Sequence, residues 1–276
     1  MYKHPPATEQ ICRRKHLTKR MLDLANLSTP AGGDFAPSEP EVAAAFFEKM
    51  PKPVVVKATD SGGSKGVTVG VRNREQFELA WSHALADGRK SSNVLIEKYV
   101  DGVELRAFVI GDEVVSVVAR IQPFVEGDGI RNLTTLIEEI HKSREVHYRA
   151  KKMPVVIKWE FIAGQGYQED SVPAAGEIVF LNPFNTPTNG GFILDVTSAV
   201  CDEIKELSIR SMQAIPHLEV AGIDLMVSDL GDADTAYVIE VNTAASLELH
   251  RYPTHGEPRA VDLDIVEYFN SKYGEK

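Results

Sequence analysis

The sequence predicts an α/β (α+β) fold built as two lobes, on two observations. Segments with the period of a strand alternate with segments that have the period of a helix, and no stretch repeats another. The chain has 276 residues, more than one simple domain usually needs, which points to a large domain folded around a cleft. With 43% hydrophobic and 25% charged residues, its composition is that of a globular chain and not of a disordered one.

Residues 9–26 (EQICRRKHLTKRMLDLAN) carry Ile11, Leu17, Met21, Leu22 and Leu24 at helical spacing, and the Pro/Gly-rich LSTPAGGDFAPSEP that follows predicts a loop. Pro40 to Met50 predicts a second helix. Pro53 to Lys57 is a β-branched run between turn formers, the pattern of a buried strand, and it empties into glycines. Asn73 with Gln76 three residues on forms a capping box that starts a helix to about Ala86, and VLIEKYV predicts the next strand. ELRAFVIG and EVVSVVARI predict two strands joined at a Gly-Asp turn. Beyond Gly127, LTTLIEEIHK predicts a helix, and PVVIKWEF and EIVFL predict strands. Residues 199–214 predict a helix, AGIDLMVSD and TAYVIEVN paired strands, and VDLDIVEYF a closing helix.

A net charge of −10 argues against a nucleic acid or an anionic membrane as partner, since both require a positive footprint. The N-terminus lacks a continuous apolar core of the signal-peptide kind, and no stretch approaches the roughly 20 apolar residues that span a bilayer. Cys12 and Cys201, at no metal-ligand spacing, predict two buried thiols in a reducing compartment, hence a cytoplasmic protein.

Three groups of residues carry chemistry. Lys57 at a strand end is followed by Ser61-Gly62-Gly63-Ser64-Lys65-Gly66, where small residues let backbone amides converge on an anion and two lysines add charge. This suits a triphosphate but matches neither the Walker pattern nor the dinucleotide glycine pattern, and a plain structural turn has the same composition. Asp224 and the pair Glu240 and Asn242 sit on strands that pairing brings opposite one another, giving three oxygen donors for a hard cation such as Mg2+. Isolated carboxylates near strand ends are also commonly just solvated. In EKYVDGVELR, backbone groups at a bent strand suit an adenine edge and Glu104 suits a ribose, or the segment is a charged hairpin.

The order of these features resembles the ATP-grasp superfamily over nearly the whole chain. RRKHLTKRML then TPAG, VVVKATDSGGSKGV, VEGDGIRNLTTLIEE, VPAAGEIVFL, NGGFILDVT, AGIDLMV and VIEVN before HRYPTHGEPR are shared with the ATP-grasp modules of cyanophycin synthetase and of bifunctional γ-glutamylcysteine/glutathione synthetases. The resemblance implies an ATP-grasp fold, two α+β lobes gripping ATP between them. It divides the chain into a helical lead-in (1–50), a small lobe with a glycine-rich lid (51–98) and a large lobe with a magnesium site (99–276). It makes Lys15 and Lys57 phosphate ligands, Ser61 to Gly66 the lid, Lys98 and Val100 backbone partners of adenine with Glu97 beside them, and Glu104 the ribose contact. By the same resemblance Asp224, Glu240 and Asn242 would hold magnesium. Arg120 resembles the family arginine that faces the γ-phosphate and acyl phosphate, Asn189, Gly190 and Gly191 resemble the loop beside it, and His250 matches a family histidine that is either a substrate contact or structural support.

The activity implied is ATP- and Mg2+-dependent joining of a small-molecule carboxylate to an amine, an amino acid or peptide, through an acyl phosphate. A nucleotide-binding scaffold or a phosphotransferase without amine ligation is the alternative. Members of the superfamily usually carry an N-terminal α/β domain of roughly 100 residues before the first lysine; here 14 residues precede Lys15 and no such domain is evident. The expectation is a substrate pocket completed by a partner protein, by a second copy in a homo-oligomer, or by further chain. Thr-Ala-Ala-Ser follows Asn242 where Pro-Gly is frequent, so the substrate side is expected to differ.

Overall fold

The computed structural model describes residues 4–61, 65–89 and 92–274. In chain order the elements are α1 (Pro6–Arg13), α2 (Lys15–Leu24), β1 (Gly32–Phe35), α3 (Pro40–Lys49), β2 (Val54–Ala58), β3 (Val67–Val71), α4 (Arg74–Asp87) and β4 (Val94–Lys98). There follow β5 (Val103–Ile110), β6 (Glu113–Ile121), β7 (Phe124–Glu126), α5 (Leu133–Val146), α6 (Trp159–Gly164), β8 (Ile178–Phe180) and β9 (Phe192–Asp195). The chain closes with α7 (Asp202–Gln213), β10 (Val220–Val227), β11 (Ala236–Asn242), α8 (Glu248–Arg251) and α9 (Val261–Tyr273).

Two compact units form. The first takes Met1–Gly102, Val109–Val114 and Cys201–Ala245; the second takes Val103–Phe108, Val115–Val200 and Ser246–Lys276. In the first, an antiparallel sheet runs β1-β4-β2-β3, with α4 across β2 and β3 and α3 against α4 and β1. Period-2 alternation turns Val54, Val56 and Ala58 of β2 and Val94 and Ile96 of β4 into one core with Phe47, Phe77 and Trp81. Phe47 and Phe77 stack with centroids 4.7 Å apart, and burial of each such ring contributes roughly 1.5–3 kcal/mol. Asn73 caps α4 by accepting from the Gln76 amide at 2.9 Å, while Gln76 Oε1 accepts from the Arg72 amide at 2.8 Å. The expected box therefore closes one residue further back. Also in this unit, β10 pairs antiparallel with β11, and α1, α2 and α7 lie on β11.

In the second unit β6 pairs antiparallel with β9, and β7 with β8. Leu133, Ile162, Val179, Leu181 and Phe192 form its core. Asn132 caps α5, its side chain accepting from the Thr135 amide at 3.0 Å.

The structure departs from the sequence reading in three places. The helix expected over residues 9–26 breaks at Arg14, which is extended (φ −112°, ψ 98°); the Lys15 amide there donates to the Thr59 carbonyl at 2.8 Å instead of continuing α1. The loop expected after it contains β1, whose GGDF composition reads as a turn but whose register runs Gly32 to Glu97 and Phe35 to Val94. PVVIKWEF is not a strand. Pro154 brings no donor to a ladder, the Val156 and Lys158 amides go to Asn189 and Leu181, and from Trp159 the chain is helical, which sinks Ile162 fully into the core.

Candidate nucleotide and metal site

On β2, Lys57 points away from the face made by Val54, Val56 and Ala58, and Glu97 on β4 shares its side of the sheet. Val55 is directly opposite Glu97, so Lys57 meets it diagonally, and Nζ lies 2.5 Å from Glu97 Oε2 with both side chains nearly buried (6% and 7% exposed). Room for Glu97 comes from β1: a Cβ on Gly32 would run into the Ile96 carbonyl and stand 2.8 Å from Glu97 Cγ. A glycine is required there by space.

The break at Arg14 sets Lys15 at the start of α2, beside the end of β2. Its Nζ donates to the Ser61 carbonyl and stands 3.5 Å from Glu240 Oε1. Ser61 Oγ is 3.4 Å from the Ala58 carbonyl, Lys65 is exposed, and Gly66 has φ +62°. The Gly66 amide donates to Asp87 Oδ2 at 2.9 Å, and its carbonyl accepts from Ala58 at 3.1 Å. Gly62, Gly63 and Ser64 lie outside the described residues. The Lys98 amide is engaged by the Ala31 carbonyl at 2.8 Å, so a base at this strand end would be met by the Lys98 carbonyl and by the half-buried Val100.

Asp224 and Glu240 are direct cross-strand partners on β10 and β11, and Asn242 follows on the same face as Glu240. Next to the pair the register slips, Leu225 matching Val238, so Ile239 is an extra residue on β11. This bulge lets Val238 and Val241 both enter the core (1% and 0% exposed) while Glu240 stays half-buried. Asp224 is buried, and Asn242 Nδ2 donates to its Oδ2 at 3.2 Å, which turns the amide oxygen into the ligand atom Asn242 can offer. Among the described residues no group of three or more His, Cys, Asp or Glu is placed to hold a metal. Two carboxylates and an amide oxygen, all hard donors, fit a cation that draws its remaining ligands from phosphate and water. Burial, followed by the Glu240 carboxylate, pushes the nearby Cys12 thiol up to about 12, which removes it as a nucleophile.

In the second unit Arg120 Nη2 lies 2.7 Å from Glu104 Oε1, and Glu104 Oε2 accepts from Asn185 Nδ2 at 2.7 Å. The residue assigned to ribose therefore grips the residue assigned to the γ-phosphate. The segment 182–191 is held from several directions. The Asn189 carbonyl accepts from Asn182 Nδ2 at 3.0 Å, and Asn189 Nδ2 donates to Thr186 Oγ1 at 2.7 Å. Gly190 has φ +82°, and a Cβ on it would strike Val155 Cα; one on Gly191 would strike the Asn185 carbonyl. His250 is fully buried, its Nδ1 2.8 Å from Ser116 Oγ and its ring edge-on to Phe108, the surroundings of a histidine that supports the core.

Sequence reasoning missed Asn182, Asn185 and Asp87. The first two sit in NPFN, where Asn beside Pro signals a side-chain-organised turn; Asp87 ends a helix and gives no local signal for its distant partner Gly66.

A family model described as phosphoribosylglycinamide synthetase, ATP-grasp (A) domain, matches residues 13–130. The crystal structure of a bifunctional glutathione synthetase from Pasteurella multocida superposes on 98% of this chain and 37% of that one, at TM-score 0.70 and 25% identity. The chain has the ATP-grasp fold. The D-alanine–D-alanine ligase of Bacillus anthracis is alike in fold alone, at TM-score 0.54 and 16% identity over 87% of this chain and 59% of that one. In sequence the ATP-grasp chain is 29% identical to the glutathione biosynthesis bifunctional protein GshAB of Desulfotalea psychrophila, over 92% of this chain and 33% of that protein. It is 30% identical to the cyanophycin synthetase of Synechocystis, over 92% and 30% respectively. The resemblance read from the motifs is thus borne out. The chain spans about a third of the length of these curated relatives.

Proposed function

We propose that this ATP-grasp chain is an ATP- and Mg2+-dependent ligase that joins a carboxylate to an amine, an amino acid or peptide, with ADP and phosphate released. One observation carries the reading: a lysine at a helix start and a two-strand acidic pair meet in a single unit, with Lys15 Nζ 3.5 Å from Glu240 Oε1. Cations for a triphosphate thereby adjoin donors for its counter-ion. Asp224, Glu240 and Asn242 would hold Mg2+, which when bound neutralises phosphate charge and orients the transferred group.

The chain's own residues have separate tasks in this reading. Lys15 and Lys57 draw in the phosphates, and Glu97 fixes the Lys57 ammonium so that it needs no reorganisation during transfer. The glycine- and serine-rich segment 61–66 would serve as the lid that excludes water, which would hydrolyse an acyl phosphate. Arg120, oriented by Glu104, supplies a further cation as charge builds on the transferred group. Asn189, Gly190 and Gly191 would offer backbone groups to it, as the resemblance implies. Burial of Cys12 and its high-lying thiol remove that residue as a nucleophile, which agrees with direct attack by the substrate carboxylate.

Cys12 and Cys201 are unpaired thiols, Cys12 buried as expected but Cys201 only half-buried; this suits a cytoplasmic setting, and no described helix is long and apolar enough to cross a membrane. The test is release of ADP and phosphate with ATP and Mg2+, screened over amino-acid and peptide pairs, with product mass measured. Amine-dependent release with a new amide mass is the expected result. Phosphate retained on an acceptor identifies a phosphotransferase, and ATP binding without turnover a scaffold; either overturns the ligase reading.

A further inference from the structure

A cavity of about 550 Å³ lies wholly inside the second unit, between α5, β7, β9 and the segment around Thr254. Its size falls in the range of roughly 300–1,000 Å³ used for small molecules. Its apolar lining includes Phe124, Leu136, Ile140 and Phe192. The opposite character comes from Arg144 and His255, with the exposed Ser143 at the rim. None of the described nucleotide or metal residues lines it.

Arg144 is the informative residue. It is 7% exposed, and its guanidinium leans towards the Phe192 ring at 5.9 Å. Nη1 donates to the Gly190 carbonyl at 3.2 Å and Nη2 to the Met153 carbonyl at 2.6 Å, whereas Nε is buried with no hydrogen-bond partner. Among the described residues no carboxylate pairs with it. Of the two carboxylates in the lining, Glu139 is taken by Arg131 and Glu126 is exposed. Burial, then the charge of Arg149, lowers the pKa of the guanidinium; burial, then Arg144 and His147, lowers that of His255. An arginine does not escape by losing its proton. A buried cation that has no carboxylate partner, lies near a second arginine and lines open space is destabilising unless an anion joins it.

We propose that this cavity is a carboxylate-binding site for a small acid with an apolar body, the carboxylate on Arg144 and the body against Phe192, Leu136 and Ile140. Through the Gly190 carbonyl, the same arginine ties the occupant to the segment 182–191 and so to Asn185 and Glu104. The proposal does not rest on the nucleotide reading, because the site is complete without ATP.

The test is calorimetric titration of the full chain, without nucleotide, with N-acetyl-L-phenylalanine and with its uncharged analogue N-acetyl-L-phenylalaninamide. The acid is expected to bind at least tenfold more tightly than the amide, and Ser143→Tyr, which fills the exposed rim, to weaken the acid at least tenfold with an unchanged unfolding midpoint. Arg144→Met should abolish the preference for the acid; where that variant fails to fold, Ser143→Tyr decides. Equal affinity for acid and amide, no binding of the acid, or full displacement by ATP overturns the proposal. Incubation with ATP and Mg2+ then separates two sources of the acid: a probe converted to a heavier product marks a substrate position, an unchanged probe a retained effector, and both support the site.

Discussion

The Lys57–Glu97 pair offers a quantitative test. Both side chains are nearly buried and 2.5 Å apart, so removing one leaves the other as an uncompensated charge, a loss of about 3–5 kcal/mol. Replacing both by apolar groups of similar volume is close to neutral. Glu97→Leu alone is therefore expected to destabilise by about 4 kcal/mol, and Lys57→Met/Glu97→Leu to return within about 1 kcal/mol of the parent. With a urea m-value of about 3 kcal/mol/M for a chain of this size, the single variant shifts the midpoint down by about 1.3 M. Equilibrium urea unfolding followed by circular dichroism reads this directly. Calorimetry with ATP on the double variant separates structure from function, since it is expected to be folded yet unable to hold the nucleotide tightly. A single variant that loses less than about 1 kcal/mol refutes the burial argument, and a double variant with parental ATP affinity refutes the phosphate role of Lys57.

Glu240→Gln keeps the shape of the side chain and removes a charge, so Mg2+-dependent ATP turnover should disappear while the unfolding midpoint stays; unchanged turnover rejects Glu240 as a metal ligand. Glu104→Gln releases Arg120 as well as any ribose contact, so kcat should fall about tenfold or more alongside a rise in KM for ATP, and a pure KM effect would show that Arg120 does not depend on it. Gly190→Ala and Gly176→Ala share nearly the same backbone (φ +82° and +79°), but only at Gly190 does the new Cβ meet backbone. The Gly176 variant should lose about 1–2 kcal/mol and the Gly190 variant a further 1–3 kcal/mol, read by urea midpoints; equal losses would mean Val155 yields freely. Asp128 is pulled down to about 2 by the Arg131 and Ile130 amides and then by the Arg131 guanidinium. Its depressed value adds stability that is present above pH 4 and lost between about pH 4 and pH 2, so Asp128→Asn should flatten the acid limb of the stability curve. An identical limb in the two proteins would contradict it.

What was legible in the sequence is what local rules encode. Val54, Val56 and Ala58 alternate, Asn73 and Gln76 cap, and Asp224, Glu240 and Asn242 sit on strands whose pairing puts them on one face, so those elements and the acidic pair followed from spacing. The failures come from partners distant in sequence. Nothing near Arg14 announces that the Lys15 amide will be claimed by Thr59, or near PVVIKWEF that two of its amides go to Asn189 and Leu181. The grip of Glu104 on Arg120 and the cavity at Arg144 are likewise tertiary facts. Each residue alone reads as an ordinary surface charge, and only packing reveals that its charge is enclosed.

Gly32 bears on any effort to make this chain more robust. Strand β1 has a composition poor for a strand, and a stabilisation campaign guided by β-propensity would fill it with valine, isoleucine or threonine. At position 32 that substitution drives a methyl group into the Ile96 carbonyl and onto Glu97, shifting the carboxylate that holds Lys57. The variant chosen for its secondary-structure preference would lose stability to that backbone clash and displace the partner of the buried Lys57 as well, so under the proposed reading one added side chain costs both robustness and nucleotide affinity.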